Sequence, residues 1–162
     1  MALNLYIYSG LGNIIAIVDS VREDISLDAE DVLNLHNNKS ISFDQLIQVL
    51  PPQDPENDFD VEIYNNDGST ASNCINGARC VAKSIEDHSL SVSKQIKVNT
   101  IGGIWRLESM SEENYSASFL LSDVIKPISI SLEEINLNLD CVSLGNPHGI
   151  AFRDTNPEFD LL

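Results

Sequence analysis

The sequence predicts an α/β (α+β) protein, and three observations support this fold class. Short segments in which apolar and polar residues alternate, as they do in β-strands, recur between turn residues. Two further segments carry the apolar spacing of amphipathic helices. The 162 residues, of which 43% are hydrophobic, are enough for one domain of ordinary size or two small ones with a real core.

The first part of the chain is predicted to contain four strands and one helix. LNLYIY and IIAIV are expected to pair around the turn GLGN. Ser26 can cap a helix through LDAEDVLNLHNN, because acidic residues occupy its first turn. DQLIQVL is predicted to be a strand that ends at two prolines, and FDVEIYN a strand that ends at the turn NDG.

The second part begins with the clearer helical pattern. Apolar residues at i, i+3, i+4 and i+7 predict an amphipathic helix, namely Ala78, Val81, Ala82 and Ile85. Cys74 lies just before the first turn of this helix. Three more strand candidates follow, QIKVN, GIWRLES and YSASFLL, and the last part of the chain contains CVSLGNPHGIAF.

The composition argues against several classes of partner. The net charge of −16 would repel a nucleic-acid phosphate backbone or an anionic membrane surface. The apolar run NIIAIV is too short for a membrane span or a signal-peptide core. Three cysteines, an odd number, argue against a disulfide framework and for a reducing compartment. We therefore expect a cytoplasmic protein that binds neither nucleic acid nor membranes.

The stretch SNCINGARC raises the question of why a thiol precedes a helix. Unsatisfied N–H groups and the positive end of the helix dipole would lower the pKa of Cys74, making it a nucleophile, a metal ligand or a general base. Asn76 and the opening amides would form a cradle for an anion such as a carboxylate. The alternative is that Cys74 is a buried small hydrophobe. Cys80 and Cys141 are expected to be packing residues.

The other polar residues favour some chemistries over others. A metal site is the least favoured, because C-x-x-C is absent and the three histidines have no ligand-like spacing. Nucleophilic catalysis would need a base, and only His148, in GNPH, lies in a loop context that could supply one. Asn13 and Asn65 lie beside glycine-containing turns, where asparagine is common without any binding role.

Five motifs, in order, resemble those of one enzyme family. CINGARC matches six of seven positions of the C-G-N-G-A-R-C hallmark around the first catalytic cysteine of diaminopimelate epimerases. YNNDGS resembles the preceding F-N-A-D-G-S, and GLGN, FDQL before PP, and SLGNPHGI resemble three further signatures. The chain thus resembles the N-terminal half of this family of cofactor-independent amino-acid epimerases, whose members continue well beyond residue 162.

The resemblance implies a function and a set of site residues. Cys74 would be one of two cysteines that bracket the α-carbon, one removing and the other returning a proton, without metal or cofactor. The substrate would be LL-diaminopimelate, converted to the meso form for lysine and peptidoglycan synthesis. Asn76 and the amide of Ile75 would hold the carboxylate at the reacting centre, and His148 would lie close to the cysteine pair. The other implied substrate contacts are Asn13, Gln45, Asn65 and Asn146.

The resemblance also implies an architecture. Family members have two pseudo-symmetric α/β domains, each a curled mixed sheet around a central helix, with the active site in the cleft between them. Residues 1–115 would form the first domain and residues 116–162 only the beginning of the second. A homodimer is possible.

Departures from the family pattern leave three hypotheses open. The second catalytic cysteine has no counterpart in this sequence, and Ile75 replaces the family's glycine. A β-branched residue resists positive φ and narrows the backbone approach that glycine allows. Ile14 and Ile15 replace an acidic and an aromatic residue. The chain would then be a shortened or split diaminopimelate epimerase, a racemase of another amino acid, or a non-catalytic half-protein that binds a ligand or partner.

Overall fold

The computed structural model divides into two compact units, Met1–Leu120 and Leu121–Leu162. Each unit is built from its own sheet of neighbouring strands. The described residues are 3–23, 25–38, 41–111, 114–120, 123–132, 135–143 and 147–152.

The first unit contains seven strands and two helices. The strands are β1 (Leu5–Gly10), β2 (Asn13–Asp19), β3 (Gln45–Leu50), β4 (Phe59–Asn65), β5 (Gln95–Thr100), β6 (Gly103–Ser111) and β7 (Asn114–Phe119). The helices are α1 (Ala29–Asn37) and α2 (Ile75–Asp87). No helix in the described ranges is long and apolar enough to cross a membrane. The strands and helices predicted for this part of the chain are confirmed.

The seven strands form one mixed sheet in chain order. Neighbours are antiparallel except β2 with β3 and β4 with β5, which are parallel. Parallel neighbours need a crossover, and α1 and α2 provide the two crossovers. Helix α2 contacts β1 and β2 near one edge of the sheet and β6 and β7 at the other. The sheet therefore curls around α2, which confirms the predicted mixed sheet around a central helix.

Alternating residues of the strands fill two separate cores. The residues that pack with the apolar face of α2 include Ile15, Ile17, Ile47, Val49, Val61, Ile63, Val98, Trp105 and Leu107. A second cluster joins the intervening positions of β2, β3 and β4 to α1 and the segment after it, namely Ala16, Val18, Leu46, Tyr64, Val32 and Phe43. Because strand side chains alternate between faces, the central strands are apolar on both sides, which accounts for the continuous run IIAIV.

Helix α1 begins two residues later than a cap at Ser26 would place it. Its N-cap is Asp28, whose Oδ1 accepts hydrogen bonds from the N–H groups of Glu30 and Asp31, both at 2.9 Å. Asp31 in turn accepts a hydrogen bond from the N–H of Asp28, completing a capping box. The predicted cap was wrong because Asp28 satisfies two first-turn donors at once, whereas Ser26 lies too far upstream.

The second unit contains a three-stranded antiparallel sheet in its described residues. Its strands are β8 (Asp123–Leu132), β9 (Ile135–Ser143) and β10 (Pro147–Ile150), and β9 is central. Strand β7 pairs with β6 and so belongs to the first unit. The division after Leu120 thus falls later than the boundary expected after residue 115. That the second unit begins a pseudo-symmetric domain stays a prediction.

Candidate active site

The site residues predicted in the first unit converge at one end of its sheet. Asn13 and Gln45 are the first residues of β2 and β3, and these strands run parallel. Asn65 ends β4 and lies opposite Gln45 in the antiparallel β3–β4 pair. Helix α2 also begins at this end of the sheet. A Cβ added to Gly10, at the end of β1, would lie only 2.9 Å from the carbonyl oxygen of Asn76, so the first turn of α2 packs against the end of β1. The fold therefore gathers four elements around the start of α2.

Cys74 is the N-cap residue of α2. Its backbone is extended, with φ −147° and ψ 95°, and its Sγ accepts a 3.2 Å hydrogen bond from the N–H of Gly77. The side chain is only 8% exposed. A Cβ at Gly77 would lie 2.8 Å from Sγ of Cys74 and would clash with Cδ1 of Ile47. Glycine at position 77 therefore makes room for the sulfur.

Two opposing effects act on the Cys74 thiol. Burial raises its pKa, whereas the N–H groups of Gly77 and Asn76 and the charge of Arg79 lower it, and the net direction is upward. The expectation of a lowered pKa was therefore wrong, because desolvation of the sulfur outweighs the helix-end donors. Those donors still face the sulfur, so a thiolate formed there would be met by three groups that stabilise it. Cys74 is thus part of the core, with helix-end donors and a cation close to its sulfur.

The other two cysteines are buried as expected of packing residues. Cys80 is 5% exposed and belongs to the core around α2. Burial, followed by the charge of a Cys74 thiolate, raises the pKa of Cys80 to about 11. Cys141 is buried in β9 of the second unit. All three cysteines are free thiols.

The loop before Cys74 is held by hydrogen bonds from residues that were not predicted from the sequence to contact it. Trp105, fully buried in β6, donates its indole N–H to Oδ1 of Asn73 at 2.8 Å. The N–H of Gly102, in the β5–β6 turn, donates to the carbonyl of Ser72 at 2.9 Å. In the sequence Trp105 resembles any apolar strand residue, so no local signal could have identified its partner.

Asn13 and Asn76, two of the predicted substrate contacts, are hydrogen-bonded to each other. Nδ2 of Asn76 donates to Oδ1 of Asn13 at 2.7 Å. Arg79, one turn further along α2, donates to Oδ1 of Asn76 at 2.8 Å. No role was predicted for Arg79 from the sequence. The motif CINGARC could have indicated this contact, because Asn76 and Arg79 are three residues apart and such residues are neighbours on a helix.

Gln45 and Asn65 form a second pair of predicted contacts. Nε2 of Gln45 donates to Oδ1 of Asn65 at 3.0 Å, and Nδ2 of Asn65 donates to Oγ of Ser69 at 3.0 Å. The Ser69 hydroxyl then donates to Oδ1 of Asp67 at 2.6 Å. The turn reading of Asn65 is also correct, since its N–H and carbonyl close the turn through Ser69 and Gly68. Asn65 is thus both a turn residue and a candidate substrate contact.

Ile75, where the family carries glycine, is accommodated without backbone strain. It is the first residue of α2 and is half-buried. Among the described non-glycine residues, positive φ occurs at Leu11 and Ser89 and not at Ile75. The expected conflict with positive φ is therefore absent. What Ile75 changes is the bulk of the side chain at the position that follows Cys74.

The two site residues predicted beyond the first unit fall in or beside β10. His148 is exposed and lies opposite Val142 in the antiparallel β9–β10 pair. Asn146 lies outside the described residues. The assignments of both to the site stay predictions. Within the described ranges, no group of three or more His, Cys, Asp or Glu side chains could hold a metal ion.

Solved structures with a similar fold include a hydroxyproline epimerase and a probable proline racemase. The chain matches a hydroxyproline epimerase from Agrobacterium vitis with a TM-score of 0.69 at 12% identity, covering 92% of this chain and 51% of that one. It matches a probable proline racemase from Agrobacterium radiobacter K84 with a TM-score of 0.65 at 13% identity, covering 93% and 52%. At these identities the comparison establishes the fold alone.

Sequence relatives are more specific. A curated diaminopimelate epimerase from Laribacter hongkongensis is 33% identical over 95% of this chain, and one from Pseudomonas syringae pv. tomato is 34% identical over 87%. The chain spans 60% and 56% of the lengths of these two relatives. The sequence model of the family described as diaminopimelate epimerase matches residues 5–121, which include Cys74 and the amide pairs around it. The chain belongs to the diaminopimelate epimerase family.

Proposed function

We propose that this chain supplies the first acid/base of a cofactor-independent epimerase that interconverts LL- and meso-diaminopimelate. The observation that carries the proposal is the placement of Cys74. Its sulfur caps α2 and accepts the N–H of Gly77, and the Asn13–Asn76 and Gln45–Asn65 pairs lie at the same end of the sheet. The names of the relatives at 33% and 34% identity support diaminopimelate as the substrate.

In this mechanism Cys74 exchanges one proton with the α-carbon of the substrate. Burial favours the thiol form of Cys74, which suits it to return a proton to the carbanion. In the opposite direction the sulfur must act as a base, and the N–H groups of Gly77 and Asn76 would stabilise it as a thiolate. A second acid/base on the opposite face of the α-carbon completes the inversion. In this chain neither Cys80 nor Cys141 occupies a motif that matches the family's second cysteine.

The amides around the sulfur suit an amino-acid substrate. An α-hydrogen beside a carboxylate is a very weak acid, so aligned donors must stabilise the charge that develops on the carboxylate. Amide side chains carry both donors and acceptors, as a zwitterion requires. The amide of Ile75 and Asn76 are our candidates for holding the reacting carboxylate, and Asn146 and His148 remain candidate site residues by resemblance to the family. Three free thiols are consistent with a cytoplasmic location.

A second candidate function is racemisation of a different amino acid. The observation that favours it is Ile75, a branched residue that directly follows Cys74 where the family has glycine. A narrower approach to Cys74 would select a smaller substrate or a different side chain. Both candidate functions use Cys74 as the acid/base for proton exchange at the α-carbon. They differ only in which amino-acid side chain the site accepts.

Hydrogen exchange at the α-carbon tests both candidates. The protein is incubated in deuterated water with LL- and with meso-diaminopimelate, and separately with proline and other free amino acids. Deuterium incorporation and stereochemistry are followed by NMR. We expect incorporation into diaminopimelate that disappears in Cys74→Ser, because a hydroxyl is too weak an acid to take the place of the thiol.

The outcomes separate the hypotheses. Exchange with inversion would identify a second acid that faces Cys74, whereas exchange with retention would mean that Cys74 works alone. Exchange only into another amino acid would replace diaminopimelate as the substrate. No exchange by folded protein would favour a non-catalytic binding module. Exchange that persists in Cys74→Ser would refute the assignment of Cys74.

A further inference from the structure

A cation determines the orientation of the Asn13 amide. We call the chain of hydrogen bonds Arg79–Asn76–Asn13 the Arg79 relay. A guanidinium can only donate, so Asn76 must present its oxygen to Arg79 and its nitrogen to Asn13. Asn13 must therefore accept through Oδ1, and its Nδ2 is left outside the relay. The relay ends in a hydrogen-bond donor.

A carboxylate determines the orientation of the Gln45 amide in the opposite sense. We call Asp67–Ser69–Asn65–Gln45 the Asp67 relay. Hydrogen bonds from the hydroxyl and the N–H of Ser69 lower the pKa of Asp67, so it remains an acceptor-only carboxylate at neutral pH. The single proton of the Ser69 hydroxyl goes to Asp67, and Ser69 must accept from Asn65. Asn65 then accepts from Gln45, whose Oε1 is left outside the relay as an acceptor.

We propose that Arg79 and Asp67 are positioning residues that give the two relays opposite polarity, so that Asn13 presents a donor to the substrate's carboxylate and Gln45 an acceptor to its ammonium group. The identification of the ligand as an amino acid rests on the proposed function. The polarity itself rests only on the hydrogen bonds and on the fixed donor and acceptor capacity of the two charged ends.

The charged ends are needed because an amide has nearly the same shape in both orientations. Rotation by 180° about its last bond exchanges oxygen and nitrogen at almost no steric cost, and it inverts what the site offers to a ligand. Without Arg79 the Asn76–Asn13 pair can run in either direction, and without Asp67 the same is true of Asn65 and Gln45. A protein of net charge −16 would also repel a carboxylate, so a fixed donor is needed at the carboxylate end.

Side-chain amide resonances test the polarity without any need for catalysis. We would record ¹H–¹⁵N spectra of the full chain and follow the NH₂ groups of Asn13, Asn76 and Gln45. Arg79→Gln can accept as well as donate, so we expect it to shift or broaden the Asn13 and Asn76 signals and leave Gln45 unchanged. Arg79→Lys keeps a donor-only end and should restore the wild-type pattern. Asp67→Asn should do the reverse, disturbing Gln45 and sparing Asn13.

Two substitutions serve as matched controls. Lys83→Gln removes a cation from α2 that pairs with Asp87 outside the relays. Asp54→Asn removes a carboxylate that accepts the N–H of Glu56 two residues later, as Asp67 accepts that of Ser69, but which belongs to neither relay. Both controls should leave all three amide signals in place. If they disturb these signals as strongly as the relay variants do, overall charge rather than relay polarity is responsible and the proposal fails.

Titration with half-ligands tests the second part of the proposal. Acetate should shift the side-chain NH₂ signals of Asn13. Methylammonium should shift those of Gln45. Arg79→Gln should weaken the acetate response, and Asp67→Asn the methylammonium response, by about tenfold each, as expected for a hydrogen bond to a charged group. Acetate acting at Gln45, or no acetate response in wild-type protein with intact relays, would overturn the ligand assignment.

These results are independent of the epimerase assay. Relay signals as expected, together with no α-hydrogen exchange into any amino acid, would refute the proposed function and leave the polarity in place. Conversely, active protein whose Arg79→Gln and Asp67→Asn variants keep wild-type spectra and a wild-type KM would refute the positioning roles and leave the function in place. If the roles are real, Arg79→Gln should raise the KM more than it lowers kcat, and Arg79→Lys should recover the KM.

Discussion

The indole N–H of Trp105 donates a 2.8 Å hydrogen bond to Oδ1 of Asn73, the residue that immediately precedes Cys74. Trp105 is fully buried among the core residues that pack with α2. The bond thus joins the buried core around α2 to the loop that carries the candidate acid/base. Its contribution can be measured, and three other local features also lead to quantitative predictions.

Trp105→Phe should loosen the loop at Asn73 while keeping most of the core volume. We expect the free energy of unfolding in denaturant to fall by about 1–3 kcal/mol, because the partly buried acceptor Asn73 loses its donor and part of a buried ring is removed. A double-mutant cycle with Asn73→Ala isolates the bond, and the coupling energy should be about 1 kcal/mol. A coupling energy indistinguishable from zero would mean that the bond does not stabilise the loop.

Gly77→Ala should destabilise the protein and displace the Cys74 sulfur. The new methyl group would clash with Cδ1 of Ile47 and would lie 2.8 Å from Sγ of Cys74. We expect a loss of about 1–3 kcal/mol, typical of overpacking, measured by thermal or denaturant unfolding. Adding Ile47→Val removes the clashing Cδ1 and should recover part of the loss. If the double variant is less stable than the sum of the single variants predicts, the steric explanation is wrong.

Leu11→Asn should stabilise the first unit. Leu11 has φ +49° in the β1–β2 turn and is 83% exposed, so it has little packing to compensate for a left-handed conformation. Asparagine tolerates this conformation better, and we expect a gain of about 0.5–1 kcal/mol in the free energy of unfolding.

Gly12→Ala is the control of opposite sign for this turn. Gly12 has φ +90°, and there is open space where a Cβ would be placed, so only the backbone conformation is affected. This variant should lose about 1 kcal/mol. A destabilised Leu11→Asn beside an unaffected Gly12→Ala would show that turn conformation does not control stability here.

Stability should fall as the pH rises above 9. Burial raises the pKa of Cys80 from its ordinary 9.0 to about 11, so between these values the folded chain keeps a proton that the unfolded chain has lost. The free energy of unfolding should therefore fall by about 1–3 kcal/mol as the pH rises through this window. Denaturant unfolding at a series of pH values from 8 to 11 measures the slope.

Cys80→Ala provides the control for the alkaline effect. It removes the titrating group, so its stability should depend less on pH across the window, although the absolute value falls because the core loses a sulfur atom. An unchanged slope in this variant would assign the alkaline effect to other groups. Tyr64, whose pKa burial raises to about 12, would act in the same direction at still higher pH.

The local patterns of the sequence were sufficient for most elements of the first unit. The alternation in FDVEIYN predicted β4, because successive side chains of a strand point to opposite faces of the sheet. Val61 and Ile63 indeed lie on the face that packs with α2. The spacing of Ala78, Val81 and Ile85 predicted α2 for the same kind of reason. The start of α1 was missed, because Ser26 and Asp28 are both good caps and only the folded chain selects one.

For the candidate site, the sequence by itself predicted Cys74, Asn76 and their polar neighbours, because the CINGARC motif keeps their residue types and spacing. Only the tertiary structure decided their physical state. Burial reversed the expected direction of the Cys74 pKa, and desolvation depends on how distant segments pack around the sulfur. Trp105 reaches Asn73 across 32 residues, and Arg79 orients Asn13 through Asn76. These hydrogen bonds exist because the sheet curls around α2 and brings the ends of separate strands to its first turn.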